Sequence, residues 1–179
     1  MMYLSFLSDI TAVFLLWLFA SAGIHKLIPD NKQYFIRLLN DYGVNSKDLS
    51  VFLLYGLGFI EVLIAVSIVF QATRSVAACG AIIVLLVYLL VMAFQLYRGK
   101  ADISCGCAGP NANTKISASL LWRNGFLSLL ALFCLAPSVG FSGMFWIVTI
   151  MSSLIMIILY SSIEQLIENA QLIELLRNK

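Results

Sequence analysis

The chain has 179 residues, of which 61% are hydrophobic and only 11% charged, with a net charge of +2. That apolar excess, with a mean hydropathy of +0.97, excludes an ordinary soluble domain and points to the membrane class. The small net charge leaves no electrostatic footprint for nucleic acid, and four cysteines are too few for a secreted disulfide scaffold.

The apolar runs predict an all-α, multi-pass transmembrane bundle of about five spans with a four-helix core. No repeat or low-complexity linker divides it, so residues 1–179 read as a single membrane domain. The first span covers 10–29 and ends at Gly23-Ile24-His25-Lys26-Leu27-Ile28-Pro29. It reads as a retained span, because the apolar run is long and no Lys or Arg precedes it. Residues 31–44 follow a different pattern. Tyr34, Phe35, Leu38, Leu39 and Tyr42 recur at helical spacing, with Asn31, Lys32, Arg37, Asn40 and Asp41 between them. This is an amphipathic helix, expected to lie in the membrane interface, with a solvated connector as the alternative. Further spans are expected at 51–71, 75–97, 117–137 and 141–160. The tail, 161–179, carries Ile163, Leu166, Ile167, Ala170, Ile173 and Leu176 on one stripe. It either extends the last helix or lies on the membrane surface.

Between the third and fourth spans stands Cys105-Gly106-Cys107-Ala108-Gly109-Pro110. Two cysteines one residue apart cannot form a relaxed disulfide, and strain makes such a bond easier to reduce. Gly106 relieves part of that strain through its wider backbone freedom. Gly109-Pro110 then turns the chain. The stretch therefore suits electron exchange better than structural stapling. Two unpaired thiols in a tight turn is the plainer reading. A two-coordinate copper site is a minor third one, while zinc lacks the four ligands that it wants.

The ionisable residues within the spans share one half of the membrane with these thiols. His25 and Lys26 lie about one turn inside the first span. Glu61 lies about 15 Å into the second and Arg123 about 9 Å into the fourth, at 1.5 Å per residue. A charge in hydrocarbon is costly unless paired, so these positions carry a functional expectation. Glu61 is expected to meet Arg123, with Asn124 completing the polar cluster; the alternative is that each snorkels separately. A nearby cation favours the reactive thiolate, and Lys26, Arg98 and Arg123 are the candidates. Asp102, Glu61 or His25 could take the proton. His25, Lys26 and Arg98 also read as ordinary helix-end anchors. Cys79 and Cys134 read as small apolar packers.

These motifs resemble the MauE/DoxX family of redox-associated bacterial membrane proteins. The resemblance rests on Gly23 and Lys26, on Glu61, on Cys105-Gly106-Cys107-Ala108-Gly109, and on Arg123-Asn124. The family's cysteine box usually has Phe where this chain has Ala108. The resemblance implies an inner-membrane protein that assists disulfide formation in, or maturation of, a partner, as for methylamine dehydrogenase. It implies a thioredoxin-like protein or a cysteine-bearing client as that partner. It also implies likeness to the vitamin K epoxide reductase type of bundle, in which an interfacial half-helix follows span one and redox cysteines begin span four. Electrons would pass to a second thiol protein or to a quinone. The rival readings are a non-catalytic membrane scaffold, or a small-molecule or metal carrier using the polar pocket.

Sidedness is contested within the sequence. Of eleven Lys and Arg, all but Arg74 and Arg123 fall on the side of the cysteines. The positive-inside rule sends that side to the cytoplasm. Disulfide chemistry favours the periplasm, where such bonds persist, and the periplasmic face is the expectation adopted.

Overall fold

A computed structural model describes residues 2–99, 103, 117–136 and 145–177. Within them the chain forms six α-helices: α1 (Met2–Leu27), α2 (Lys32–Asp41), α3 (Lys47–Ser67), α4 (Arg74–Tyr97), α5 (Ala118–Phe133) and α6 (Phe145–Arg177). A single 3-10 turn, Pro29–Asn31, links α1 to α2. Four stretches, Tyr3–Leu27, Lys47–Ser67, Arg74–Tyr97 and Trp146–Ile173, are long and apolar enough to cross a membrane. The 16-residue α5 reaches about 24 Å. The protein is a multi-pass transmembrane helical bundle.

Helices α1, α3, α4 and α5 close a ring, each packed on two others, and α6 lies outside it against α1. The centre is filled by Phe14, Leu15 and Phe19 of α1, Ile64 and Ala65 of α3, Ala77, Ala78 and Ala81 of α4, and Leu127 and Ala131 of α5. Lipid is as apolar as leucine, so packing rather than hydrophobicity joins helices in a membrane, and small residues let backbones approach. The alanines of α4 serve that purpose. Outward faces stay apolar, as with Phe59, Leu90, Phe126 and Ile158.

Several boundaries differ from the sequence reading. α1 begins at Met2 rather than residue 10, because Ser5, Ser8 and Asp9 face the interior instead of water. α3 begins and ends about one turn earlier than 51–71. α5 stops at Phe133, short of 137. The apolar face of α2 rests on the protein, with Phe35 and Leu38 buried beside Leu54 of α3. The open question at the tail resolves into one continuous helix: α6 has 33 residues, about 50 Å, well beyond the ~30 Å of a bilayer core.

Candidate functional site

The site begins with a close approach between α1 and α3. A Cβ on Gly23 would lie 2.8 Å from the Gly58 carbonyl oxygen and 2.8 Å from Val62 Cγ2. Only glycine permits that contact. It sets Lys26, near the end of α1, against Glu61, in the middle of α3.

Lys26 Nζ donates to both oxygens of Glu61, at 2.9 Å to Oε1 and 2.8 Å to Oε2. It also reaches the Ala22 carbonyl at 3.5 Å. Tyr88 of α4 donates its hydroxyl to Glu61 Oε1 at 2.5 Å. The ammonium lies 5.5 Å from the Tyr88 ring centroid and 5.9 Å from that of Phe35. Glu61 is only 1% exposed. Taking a carboxylate and an ammonium out of water costs several kcal/mol per ion unless geometry and further hydrogen bonds compensate. Here both oxygens of the carboxylate are occupied by donors, and the cation is flanked by ring faces.

Arg123 of α5 pairs with Glu164 of α6. Tyr160 donates to the same carboxylate at 3.0 Å, and the guanidinium lies 5.9 Å from the Tyr160 ring centroid. Asn124 is buried, with Nδ2 3.9 Å from Met92 Sδ. The expected Glu61–Arg123 pair is therefore corrected: each ion has its own partner of opposite sign. Similar depth placed both residues in one layer, but the azimuth on each helix decides the partner. Glu61 points between α1 and α4, and Arg123 points toward α6. The two pairs still share one cavity of about 200 Å³, lined also by Ser21, His25 and Trp17. Every helix except α2 supplies a polar group to this layer. His25 itself is exposed, as suits a helix end.

A third ion pair, fully buried, went unread in the sequence. Arg74 Nη1 donates to Asp9 at 2.5 Å and its Nε to the Ile68 carbonyl at 3.2 Å. It lies about 25 Å along α1 from Lys26, beyond the apolar core. The spacing of Ser5, Ser8 and Asp9, followed by buried Ala12, was the available signal, a polar stripe on an inward helix face. Tyr88, Tyr160 and Glu164 were also missed as partners. Cys134 is buried near this end, with Sγ 3.9 Å from the Ser8 carbonyl. Cys79, expected to pack inside, is exposed on α4.

Asp102, Cys105, Gly106, Cys107 and Gly109 lie outside the described residues. Their chain neighbours are placed. Ile103, two residues before Cys105, packs with Tyr42 beside Leu54, Met92 and Leu120. Arg98 stacks over Phe94, 4.2 Å from its ring centroid. Ser117 accepts a hydrogen bond from Gln171 at 3.1 Å. The segment bearing the thiols thus leaves α4 and enters α5 at the end of the bundle that holds the polar layer.

A family described as methylamine utilisation protein MauE matches residues 4–137. The chain belongs to the MauE family. The match spans α1 to α5, and so Lys26, Glu61, Tyr88, Arg123, Asn124 and both thiols of the Cys-Gly-Cys segment; Glu164 lies beyond it. The chain is also similar to the methylamine utilization protein MauE of Paracoccus denitrificans, 30% identical over 120 residues. That alignment covers 67% of this chain and 63% of the relative, so the chain spans less than two thirds of that relative's length. No solved structure matches.

Proposed function

We propose that this MauE-family protein performs thiol–disulfide exchange at the membrane surface, in support of methylamine utilisation. Cys105 and Cys107 are its redox pair. A client thiolate attacks their disulfide, one Cys sulfur leaves as thiolate, and a mixed disulfide forms. The client's second thiolate then displaces the remaining Cys sulfur. The client gains one S–S bond, and Cys105 and Cys107 end as two thiols. The client is a cysteine-bearing protein such as methylamine dehydrogenase in assembly, or a thioredoxin-like intermediary. The protein sits in the bacterial inner membrane with the thiol segment on the periplasmic face, where disulfides persist.

The observation that carries this reading is the polar layer at the end of the bundle where α4 stops and α5 begins. Lys26–Glu61–Tyr88 and Arg123–Glu164–Tyr160 line one cavity. An intramembrane ionisable residue carries a functional expectation by default. These ions supply cations that favour thiolate and carboxylates that exchange protons with it. Lys26, Glu61, Asp102, Arg123 and Asn124 are assigned as the supporting cluster, and Gly106 and Gly109 as the residues that let the loop bend.

The test is the double variant Cys105→Ser/Cys107→Ser, at wild-type protein level, in cells growing on methylamine. Loss of growth and of mature methylamine dehydrogenase is expected. Full retention of both overturns the exchange reading in favour of a scaffold.

A further inference from the structure

The cavity between the two ion pairs is open at one end and shut at the other. At its outer end stand His25, exposed at the end of α1, and Glu164, whose side chain is 24% exposed. A carboxylate so far uncovered within a bilayer must meet water, because hydrocarbon does not solvate it. At its inner end stand Phe19, Leu85 and Leu127, all buried. Each lies deeper than the polar residue of its own helix. Phe19 is about 10 Å below Lys26, Leu85 about 4.5 Å below Tyr88, and Leu127 about 6 Å below Arg123, at the rise of a helix. Beyond them Phe14, Leu15, Ala78 and Ala131 pack the bundle shut.

Size and lining decide what the cavity takes. One water needs about 10–15 Å³ and two to four polar partners. The cavity has about 200 Å³, so it holds several. Partners stand on its walls: the carboxylates of Glu61 and Glu164, the hydroxyls of Ser21 and Ser161, and the amide of Asn124. The charges of the two ion pairs cancel, so the cavity selects neither an anion nor a cation. Solvent is the occupant that its chemistry fits.

We infer that this cavity is a water-filled half-channel. It admits water and protons to the buried ions from the face where α4 ends and α5 begins, and from no other. The titratable and charged groups around that water are His25 and Lys26 from α1, Glu61 from α3, Tyr88 from α4, Arg123 from α5, and Tyr160 and Glu164 from α6. Among the described residues α2 supplies none. For its use the inference rests on the thiol–disulfide reading above. A thiol gives up its proton before it attacks, and a thiolate that leaves takes one back. The half-channel exchanges these protons with bulk water.

The test compares two neighbours on α6. Ser161 and Ser162 differ in depth by only about 1.5 Å, but Ser161 lines the cavity and Ser162 is exposed on the outside of the helix. Each is replaced by Cys in the full chain, in a Cys79→Ser/Cys105→Ser/Cys107→Ser/Cys134→Ser background held in phospholipid vesicles. The probe is a trimethylammonium methanethiosulfonate, a fixed cation that does not cross membranes. Ser21→Cys gives a second reading from α1, and Asn45→Cys, in the exposed α2–α3 connection, marks the side. Ser161→Cys and Ser21→Cys are expected to react from the side that labels Asn45→Cys. Ser162→Cys reacts at least about a hundredfold more slowly, because thiolate does not form in hydrocarbon. Ala131→Cys reacts from neither side. The rate at Ser161→Cys rises about tenfold per pH unit on the open side, below the thiol pKa, and ignores pH on the other. Equal rates at the two α6 positions overturn the assignment. So does silence at Ser161→Cys and Ser21→Cys while Asn45→Cys reacts, labelling of Ala131→Cys, or a response to pH on the far side. These chains lack Cys105 and Cys107, so a dry cavity sinks the half-channel and spares the thiol reading. A wet cavity in a protein whose Cys105→Ser/Cys107→Ser variant keeps full activity does the reverse.

Discussion

Lys26 and Glu61 form a buried ion pair in which one ammonium bridges both carboxylate oxygens, at 2.9 and 2.8 Å. The pair links the end of α1 to the middle of α3. Its third member, Tyr88, ties in α4 at 2.5 Å. Charge, position and packing at this point are one arrangement, and single changes should break all three.

Removing one partner leaves the other charge buried alone. Glu61→Gln or Lys26→Met is expected to destabilise the protein by roughly 3–5 kcal/mol, whereas Lys26→Met/Glu61→Leu costs far less than the sum. Thermal unfolding of the four proteins in one detergent checks this. Thiol exchange should be impaired in all three variants, including the double variant that folds well.

Gly23 controls the distance between α1 and α3. Gly23→Ala places a carbon 2.8 Å from a backbone oxygen, so the helices must separate. A loss of about 1–3 kcal/mol is expected, the usual cost of overpacking. Gly56 has nothing within 4 Å of an added Cβ. Gly56→Ala should be neutral or slightly stabilising in the same unfolding assay, since alanine is the better helix former.

The Asp9–Arg74 pair lies beyond the apolar core from the Lys26–Glu61 pair. Its role is structural on this account. Asp9→Leu/Arg74→Met should keep thiol exchange at the parent rate, while Asp9→Asn alone should lower stability. A folded double variant that has lost exchange would show that this end takes part in the chemistry.

Arg123 depends on α6 for its counter-ion. Glu164→Gln should lower stability less than Glu61→Gln does, because the Glu164 side chain is 24% exposed and the Glu61 side chain 1%. Water then replaces part of the lost interaction. Unfolding of the two variants side by side measures the difference.

The apolar runs around Glu61 and Arg123 made the bundle and the depth of its polar layer legible from the sequence. The partners were not. Depth follows from counting residues along a helix, but the direction in which a side chain points follows from how helices rotate against one another. That rotation is fixed by close contacts such as Gly23 on Gly58, which pattern alone does not reveal. The start of α1 was missed for a related reason: Ser5, Ser8 and Asp9 look like solvent-facing residues until Arg74 is seen to neutralise the acid. Tyr88 was hidden because a tyrosine inside an apolar run reads as one more apolar residue. Glu164 looked like part of a surface tail, and only the continuity of α6 through Tyr160 brings it over Arg123.

The most direct measurement is labelling of Cys105 and Cys107 in intact cells with a membrane-impermeant maleimide, before and after mild reduction, in a Cys79→Ser/Cys134→Ser background. The account predicts little labelling before reduction and strong labelling after it. Equal labelling without reduction would contradict a disulfide-forming pair. Labelling only after the inner membrane is opened would contradict its placement on the periplasmic face.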